Sequence, residues 1–263
     1  MVRIKDLSLF YTLPGKKITA ALDQVNLAIE QGEFSVIIGP SGCGKTSLIR
    51  IIAGLIRSTA GEVYIDGTPV RGIRKTTAVI FQDYGLLPWK TVRANAELPL
   101  RLSSDRRRLS NDRRRLGDKR REKADSLLAQ FGLGGFEQSY PRELSGGMQQ
   151  RLAIVRALLT DPQLLLMDEP FSSLDNITRE EAQDFFLSVR QKLRLTIIMV
   201  SHSIEEAAYL ADTVHVMTGK NPGTMGYSVT ISREGESHSR FRESPRFHEY
   251  CTLLRKLLRG TAP

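Results

Sequence analysis

Between residues 25 and 30 apolar and polar side chains alternate, with Val25, Leu27 and Ile29 on one side and Asn26, Ala28 and Glu30 on the other, the period-two signature of a half-buried strand. Residues 35–39 follow as a short apolar run suited to a fully buried strand, which enters a glycine-rich segment and then a helical spacing of Leu48, Ile51, Ile52 and Leu55. Three further apolar runs, 78–82, 164–168 and 196–201, each end in polar or turn residues before a helical pattern resumes. Strand, loop and helix in this repeated order predict an α/β fold around a mostly parallel sheet buried on both faces. Thr178 with Glu181 and Ser203 with Glu206 have capping-box spacing and predict helix starts. From 82 to 163 strand signals are sparse and residues 122–131 and 147–159 read as helices, so a helical subdomain is expected within the sheet domain. In the tail, Phe247, Tyr250, Leu254 and Leu257 or Leu258 recur at helical spacing and predict a helix docked on the core.

Composition sharpens this picture in three places. The 263 residues are 41% hydrophobic, enough for a substantial core, yet no apolar run approaches the ~20 residues of a spanning helix. The first 17 residues lack the apolar block of a secretory signal, and Cys43 and Cys251 are too few and too far apart for a disulfide framework, so a cytoplasmic address is expected. The net charge of +9 is concentrated: residues 101–123 hold 11 basic and 4 acidic side chains, residues 233–259 hold 7 and 4, and the remainder is nearly balanced. A body without excess positive charge argues against a nucleic-acid partner. Within the basic segment Asp105-Arg-Arg-Arg-Leu109-Ser110 recurs as Asp112-Arg-Arg-Arg-Leu116-Gly117, which reads as a small tandem duplication on a solvated surface.

The chemistry begins at Gly39-Pro40-Ser41-Gly42-Cys43-Gly44-Lys45-Thr46, followed by Ser47. This is the phosphate-loop pattern: small residues let successive backbone N–H groups converge on phosphate oxygens at a helix N-terminus, Lys45 adds positive charge, and the Thr46 hydroxyl can ligate Mg²⁺. The strand 164–168 ends in the carboxylates of Asp168 and Glu169. The first is placed to hold Mg²⁺ and the second to orient, or take a proton from, an attacking water.

Leu144-Ser145-Gly146-Gly147-Met148-Gln149-Gln150-Arg151 supplies a second capped helix start with exposed N–H groups, hence a second anion site. With this octet the chain resembles the ABC ATPase family over about residues 2–232. The resemblance implies a P-loop NTPase (RecA-like) α/β fold with an antiparallel β subdomain and an inserted helical subdomain. It places the ATP-binding domain at 1–232, with the nucleotide-binding core at about 1–88 and 160–232, the helical subdomain at about 89–159, and a helical tail at 233–263. It further implies ATP and Mg²⁺ as ligands. Gln82, Thr46 and Asp168 are expected at the metal, and Glu169, His202, Gln82 and Lys45 in catalysis. Tyr11 is expected on the adenine, with Phe10 as rival. Ser145, Gly146, Gly147, Gln150 and Asp175 are expected to serve the nucleotide of the opposite subunit.

By the same resemblance the partners are a second copy or a similar ATPase subunit, an integral membrane permease on the cytoplasmic side of the inner membrane, and an extracytoplasmic solute-binding protein acting through it. Residues 81–92, together with Thr178-Arg179, are similar to importers of nitrate, sulfonates and taurine, and the stretch from Leu86 to Trp89 would offer apolar anchors to a permease helix. The same cassette serves exporters, DNA-repair ATPases and soluble assembly factors. Repair ATPases typically carry a zinc module or long coiled coil between the two anion motifs, where this chain has about a hundred residues without heptads or Cys pairs.

Overall fold

The computed structural model describes residues 1–12, 18–102, 110–190, 195–235 and 237–260, with backbone alone over 110–118. Along the chain the elements are β1 (Val2–Thr12), β2 (Ile18–Ile29), β3 (Phe34–Ile38), α1 (Lys45–Ile52), β4 (Ala60–Ile65), β5 (Thr68–Pro69) and β6 (Thr77–Ile80). Helices α2 (Val92–Ala96), α3 (Leu98–Leu102), α4 (Ser110–Gln130) and α5 (Gly146–Leu158) come next, then β7 (Leu164–Asp168), α6 (Asn176–Arg190), β8 (Thr196–Ser201) and α7 (Ile204–Leu210). The chain closes with β9 (Thr213–Thr218), β10 (Thr224–Thr230), α8 (His238–Glu243) and α9 (Pro245–Arg259).

Six strands form the central sheet in the order β10-β9-β3-β8-β7-β6, parallel from β9 to β6, with β10 antiparallel at one edge. Four more, β2-β1-β4-β5, form an antiparallel sheet. The apolar runs of β3, β7 and β8 are explained by which residues share a core. Val36, Ile38, Leu165, Met167, Ile197 and Met199 join one buried cluster with residues of α5, α6, α7 and α9. Their neighbours Ile37, Leu164, Leu166, Ile198 and Val200 join a second cluster with α1, β1, β2 and β4. Each central strand is therefore covered on both faces, and no alternation survives in its sequence. Among the described residues no strand lies between Ile80 and Leu164, and no helix is long and apolar enough to cross a membrane. Cys43 and Cys251 are buried free thiols.

Several local expectations are corrected. The strand expected at 78–82 ends at Ile80, because a turn closed by Tyr84 N–H donating to Phe81 O at 2.9 Å draws the chain away, so Gln82 stands beyond the strand rather than at its end. This strand is also the sheet's edge, and Thr77 and Val79 are only half-buried. Leu55 lies past the end of α1 and is exposed, since Gly54 and Leu55 turn back to donate to Ile51 O and Arg50 O. Helix α6 starts two residues before Thr178. Its cap is Asp175, whose carboxylate accepts from Thr178 N–H at 3.1 Å; aspartate caps at least as well as threonine, and its charge opposes the helix dipole. Ser203 does cap α7, accepting from Glu206 N–H at 3.1 Å, but the Glu206 carboxylate turns inward to the Ser201 hydroxyl instead of closing the box. Of the tandem repeat, residues 105–109 lie outside the described residues and the second copy is described only as helical backbone.

The tail docks as its spacing predicted. Phe241, Phe247, Cys251, Leu254 and Leu257 are buried against the helical face of the sheet, and Tyr250 and Leu258 pack at the margin. Arg242 of α8 secures it by stacking 3.7 Å from the centre of the Tyr209 ring on α7 while pairing with Glu180 of α6 at 2.9 Å. Removing the fully buried Phe241 ring with Phe241→Ala is expected to cost about 3–5 kcal/mol, measured as a lower denaturant midpoint at unchanged slope.

Candidate active site

In the central sheet Ile80 pairs with Met167, Asp168 with Val200, and Ile37 and Ile38 with Val200 and Ser201. Four parallel strands thus end level with one another. The segments that leave them carry Gln82, Asp168 with Glu169, His202, and the phosphate loop, so residues distant in the chain come to the carboxyl edge of one sheet, as Thr46 and Asp168 do from 122 positions apart.

The loop from Gly39 to Thr46 leaves β3 and opens α1, with Ser41 and Gly42 exposed and Gly39 and Cys43 buried. Gly44 has φ of 91°, and a Cβ there would lie 2.7 Å from the carbonyl oxygen of Ala21, so the turn admits glycine alone. Lys45 is nearly buried, and its ammonium donates to the carbonyls of Gly39 at 2.8 Å and Pro40 at 3.1 Å, curling over the loop. Burial pushes the Cys43 thiol above its ordinary pKa, which leaves it protonated beside Lys45. Gly223, not singled out in the sequence, backs the loop: a Cβ there would stand 1.9 Å from Cys43 O, and its backbone exchanges hydrogen bonds with Ala21 O and Asp23 N–H at 3.1 Å. Tyr11 at the end of β1 reaches the same loop, its hydroxyl 3.1 Å from Ser47 Oγ. Phe10, the rival, is next to it on β1, and its N–H donates to Thr59 Oγ1.

Asp168 is buried, and its carboxylate accepts from the Thr46 hydroxyl at 3.2 Å. Burial raises its pKa, with the Thr46 hydrogen bond opposing. Glu169 leaves the strand with φ of 47°, its N–H donating to Val200 O at 3.0 Å, and its carboxylate lies 3.2 Å from Nδ1 of His202. The left-handed backbone turns the Glu169 side chain out of the strand's alternation and toward His202.

The second anion motif is built separately. Ser145 caps α5 by accepting from Met148 N–H at 3.3 Å. Gly146 and Gly147 let the Asp175 loop approach, since a Cβ on either would come to 3.0 Å from Leu174 or Thr178. Among the described residues no hydrogen bond joins residues 145–150 to the phosphate loop. One expected site residue is not available there: Gln150 is 0% exposed, pointing inward from α5 with no hydrogen-bond partner for its amide among the described residues. Its neighbour Gln149 secures the turn instead, donating to Pro141 O at 3.0 Å. Hydrogen bonds from Thr178 hold the Asp175 carboxyl below its ordinary pKa.

Residues 22–172 match the family described as ABC transporter. The chain belongs to that family. It is 41% identical over 258 residues to an uncharacterized ABC transporter ATP-binding protein of Methanocaldococcus jannaschii, covering 98% of this chain and 91% of the relative. A nitrate import ATP-binding protein of Synechocystis is 39% identical, covering 91% of this chain and 88% of the relative, and an aliphatic sulfonates import ATP-binding protein of Bacillus licheniformis is 39% identical, covering 92% and 87%. The ATP-binding cassette MJ0796, solved as a post-hydrolysis dimer bound to ADP and Pi, superimposes with a TM-score of 0.74 at 33% identity over 88% of this chain and 99% of that one. As a member of the ABC transporter family the chain is an ATP-binding ATPase.

Side chains that hold this ABC ATPase site from outside were missed in its sequence because they carry no motif. Arg156 of α5 binds the carbonyls of Tyr84 and Gly85, two and three residues beyond Gln82. The Tyr84 hydroxyl lies 2.8 Å from Ser173 Oγ, next to the Asp175 loop. Fully buried Asn95 accepts from Leu87 N–H at 2.8 Å and donates to the carbonyls of Leu87 and Lys90. Gly44→Ala is expected to lower stability by about 1–2 kcal/mol, the cost of a left-handed non-glycine residue, with the Ala21 clash added, measured by thermal unfolding.

Proposed function

We propose that the chain is the ATP-hydrolysing subunit of an importer for a small anion of nitrate or sulfonate type. In this reading it works as a pair, with a second copy or a similar subunit, beneath a separate permease on the cytoplasmic face of the membrane, and an extracytoplasmic solute-binding protein delivers the solute. The observation that carries the reading is the split between two anion sites. Lys45, Asp168, Glu169 and His202 gather at the sheet edge, while Ser145, Gly146 and Gly147 open another helix that, among the described residues, no hydrogen bond ties to the phosphate loop. A second copy completes the site by presenting its Ser145, Gly146 and Gly147 to the γ-phosphate, with Asp175 crossing between copies. The choice of import and of anion rests on the relatives named for nitrate and aliphatic sulfonate import.

In this mechanism the adenine stacks on Tyr11 and backbone N–H groups of the loop and the start of α1, residues 41–47, cradle the β-phosphate. Lys45 turns from the loop carbonyls to the β- and γ-phosphate oxygens. Glu169 accepts a proton from the attacking water or orients it, Gln82 holds that water from the turn beyond the adjacent strand, and His202, beside the Glu169 carboxylate, donates to the γ-phosphate. The Thr46 hydroxyl and Asp168 carboxylate, 3.2 Å apart, form an oxygen-only donor pair that fits Mg²⁺, a cation that takes few protein ligands and leaves the rest of its shell to phosphate and water, with Gln82 a further oxygen at the same edge. Held by Thr46 and Asp168, Mg²⁺ would neutralise charge on the phosphates.

For the permease, Trp89 is 70% exposed in a loop whose backbone Asn95 fastens, which supports reading it as an anchor presented ready-made to an apolar helix. Trp89→Ala is expected to weaken co-purification with the permease by about 2 kcal/mol, the loss typical of a buried aromatic anchor. Glu169→Gln is expected to keep ATP binding, lower kcat by about 10²- to 10⁴-fold, and accumulate an ATP-bound dimer on light scattering. A Glu169→Gln variant that stays monomeric with ATP and turns over normally refutes the reading.

A further inference from the structure

Glu169 and His202 touch at 3.2 Å, yet they sit on segments leaving different strands, and those segments are joined by contacts that the mechanism above does not use. On one side lies Arg179 in the first turn of α6. Its guanidinium donates to Phe171 O at 3.2 Å, Leu174 O at 2.6 Å and Asn176 Oδ1 at 3.1 Å, so it gathers the loop that runs from Glu169 to Asp175. The same guanidinium stands 3.8 Å from Glu206 of α7. The other carboxylate oxygen of Glu206 accepts from the Ser201 hydroxyl at 2.6 Å, and Ser201 Oγ in turn accepts from Ser203 N–H at 3.0 Å. Ser201 and Ser203 flank His202, so the chain of bonds holds the backbone on both sides of that histidine.

We propose that Arg179 and Glu206 are positioning residues for ATP hydrolysis: they set the distance between Glu169 and His202 and tie that pair to the loop carrying Asp175. The planar guanidinium suits this task because its fixed fork of N–H donors reaches two carbonyls, an amide oxygen and a carboxylate at once, which a lysine ammonium cannot do. Glu206 is 7% exposed, and burial raises its pKa despite Ser201 and Arg179. A raised carboxyl pKa has a defined sign in linkage. The folded chain keeps that proton to higher pH than the unfolded chain, so the group subtracts stability progressively as pH climbs from the unfolded carboxylate range through the raised value. A buried carboxylate that joins the backbone around His202 to the guanidinium gathering the Glu169–Asp175 loop fits a positioning role.

The proposal rests on the reading of Glu169 as the group that handles the attacking water, and its test keeps the two apart. Full-length Arg179→Met, Arg179→Lys, Glu206→Gln and Arg179→Met/Glu206→Gln are compared with wild type in kcat and KM for ATP, fluorescent ADP affinity and melting temperature, with Glu169→Gln in parallel. Expected are a fall in kcat of at least about tenfold for Arg179→Met and Glu206→Gln, KM and ADP affinity within about twofold, little recovery in Arg179→Lys, and a double variant no slower than the slower single one. Glu206→Gln is expected to melt no lower than wild type at pH 8. Single variants with wild-type kcat, or losses of kcat that only follow losses of ADP binding and melting temperature, overturn the proposal. If Glu169→Gln turns over normally the reading of Glu169 fails; if it is inactive while Arg179→Met and Glu206→Gln are fully active, only the positioning role fails.

Discussion

Everything at the site depends on the in-register hydrogen bonding of β6, β7, β8 and β3, four parallel strands whose carboxyl ends finish level. Parallel pairing cannot be made by a tight hairpin, so each strand end is followed by a long excursion, and each excursion begins at the same edge. That is why a phosphate loop, a carboxylate pair, a histidine and a glutamine from distant parts of the sequence share one surface. A slip of one residue in β7 would exchange the two sheet faces and bury Glu169 in place of Asp168.

Two layers press on this sheet, and the active edge is held between them. The antiparallel layer brings β2 against the phosphate loop, where Ala21 and Asp23 bond to Gly223 and the Cys43 carbonyl leaves no room for a side chain at that glycine. The helical layer contributes α5, which projects its capped N-terminus at Ser145 and uses Arg156 to grip the segment after Gln82. Tyr84 then touches Ser173, so the exposed Trp89 loop, the Gln82 turn and the Asp175 loop form one connected body.

Local sequence determined the pieces whose bonding closes within a few residues. The phosphate loop was legible because glycine at 44 and the lysine after it act on adjacent backbone. The Ser145 cap was legible because a hydroxyl needs only the N–H three positions on, and β7 and β8 were legible because burial on both faces leaves an uninterrupted apolar run. The helical subdomain and the docked tail followed from periodicity. Where two local solutions competed, tertiary structure chose: Asp175 rather than Thr178 caps α6, and the Glu206 carboxylate turns to Ser201 and Arg179 rather than to its own helix start.

Only the folded chain decided the long-range partners. Nothing near Ile80 in the sequence says that its strand is the sheet's edge, that Gln82 stands beyond it, or that Gln150 faces inward, because strand order and helix rotation are set by surfaces far away in the chain. Asn95, Arg156 and Gly223 carry no motif for the same reason, and Thr178-Arg179, part of the importer resemblance, gave no hint of the partners of Arg179. Each is defined by what it touches across many residues, and hydrogen bonds of that span come into being only when the sheet has brought their ends together.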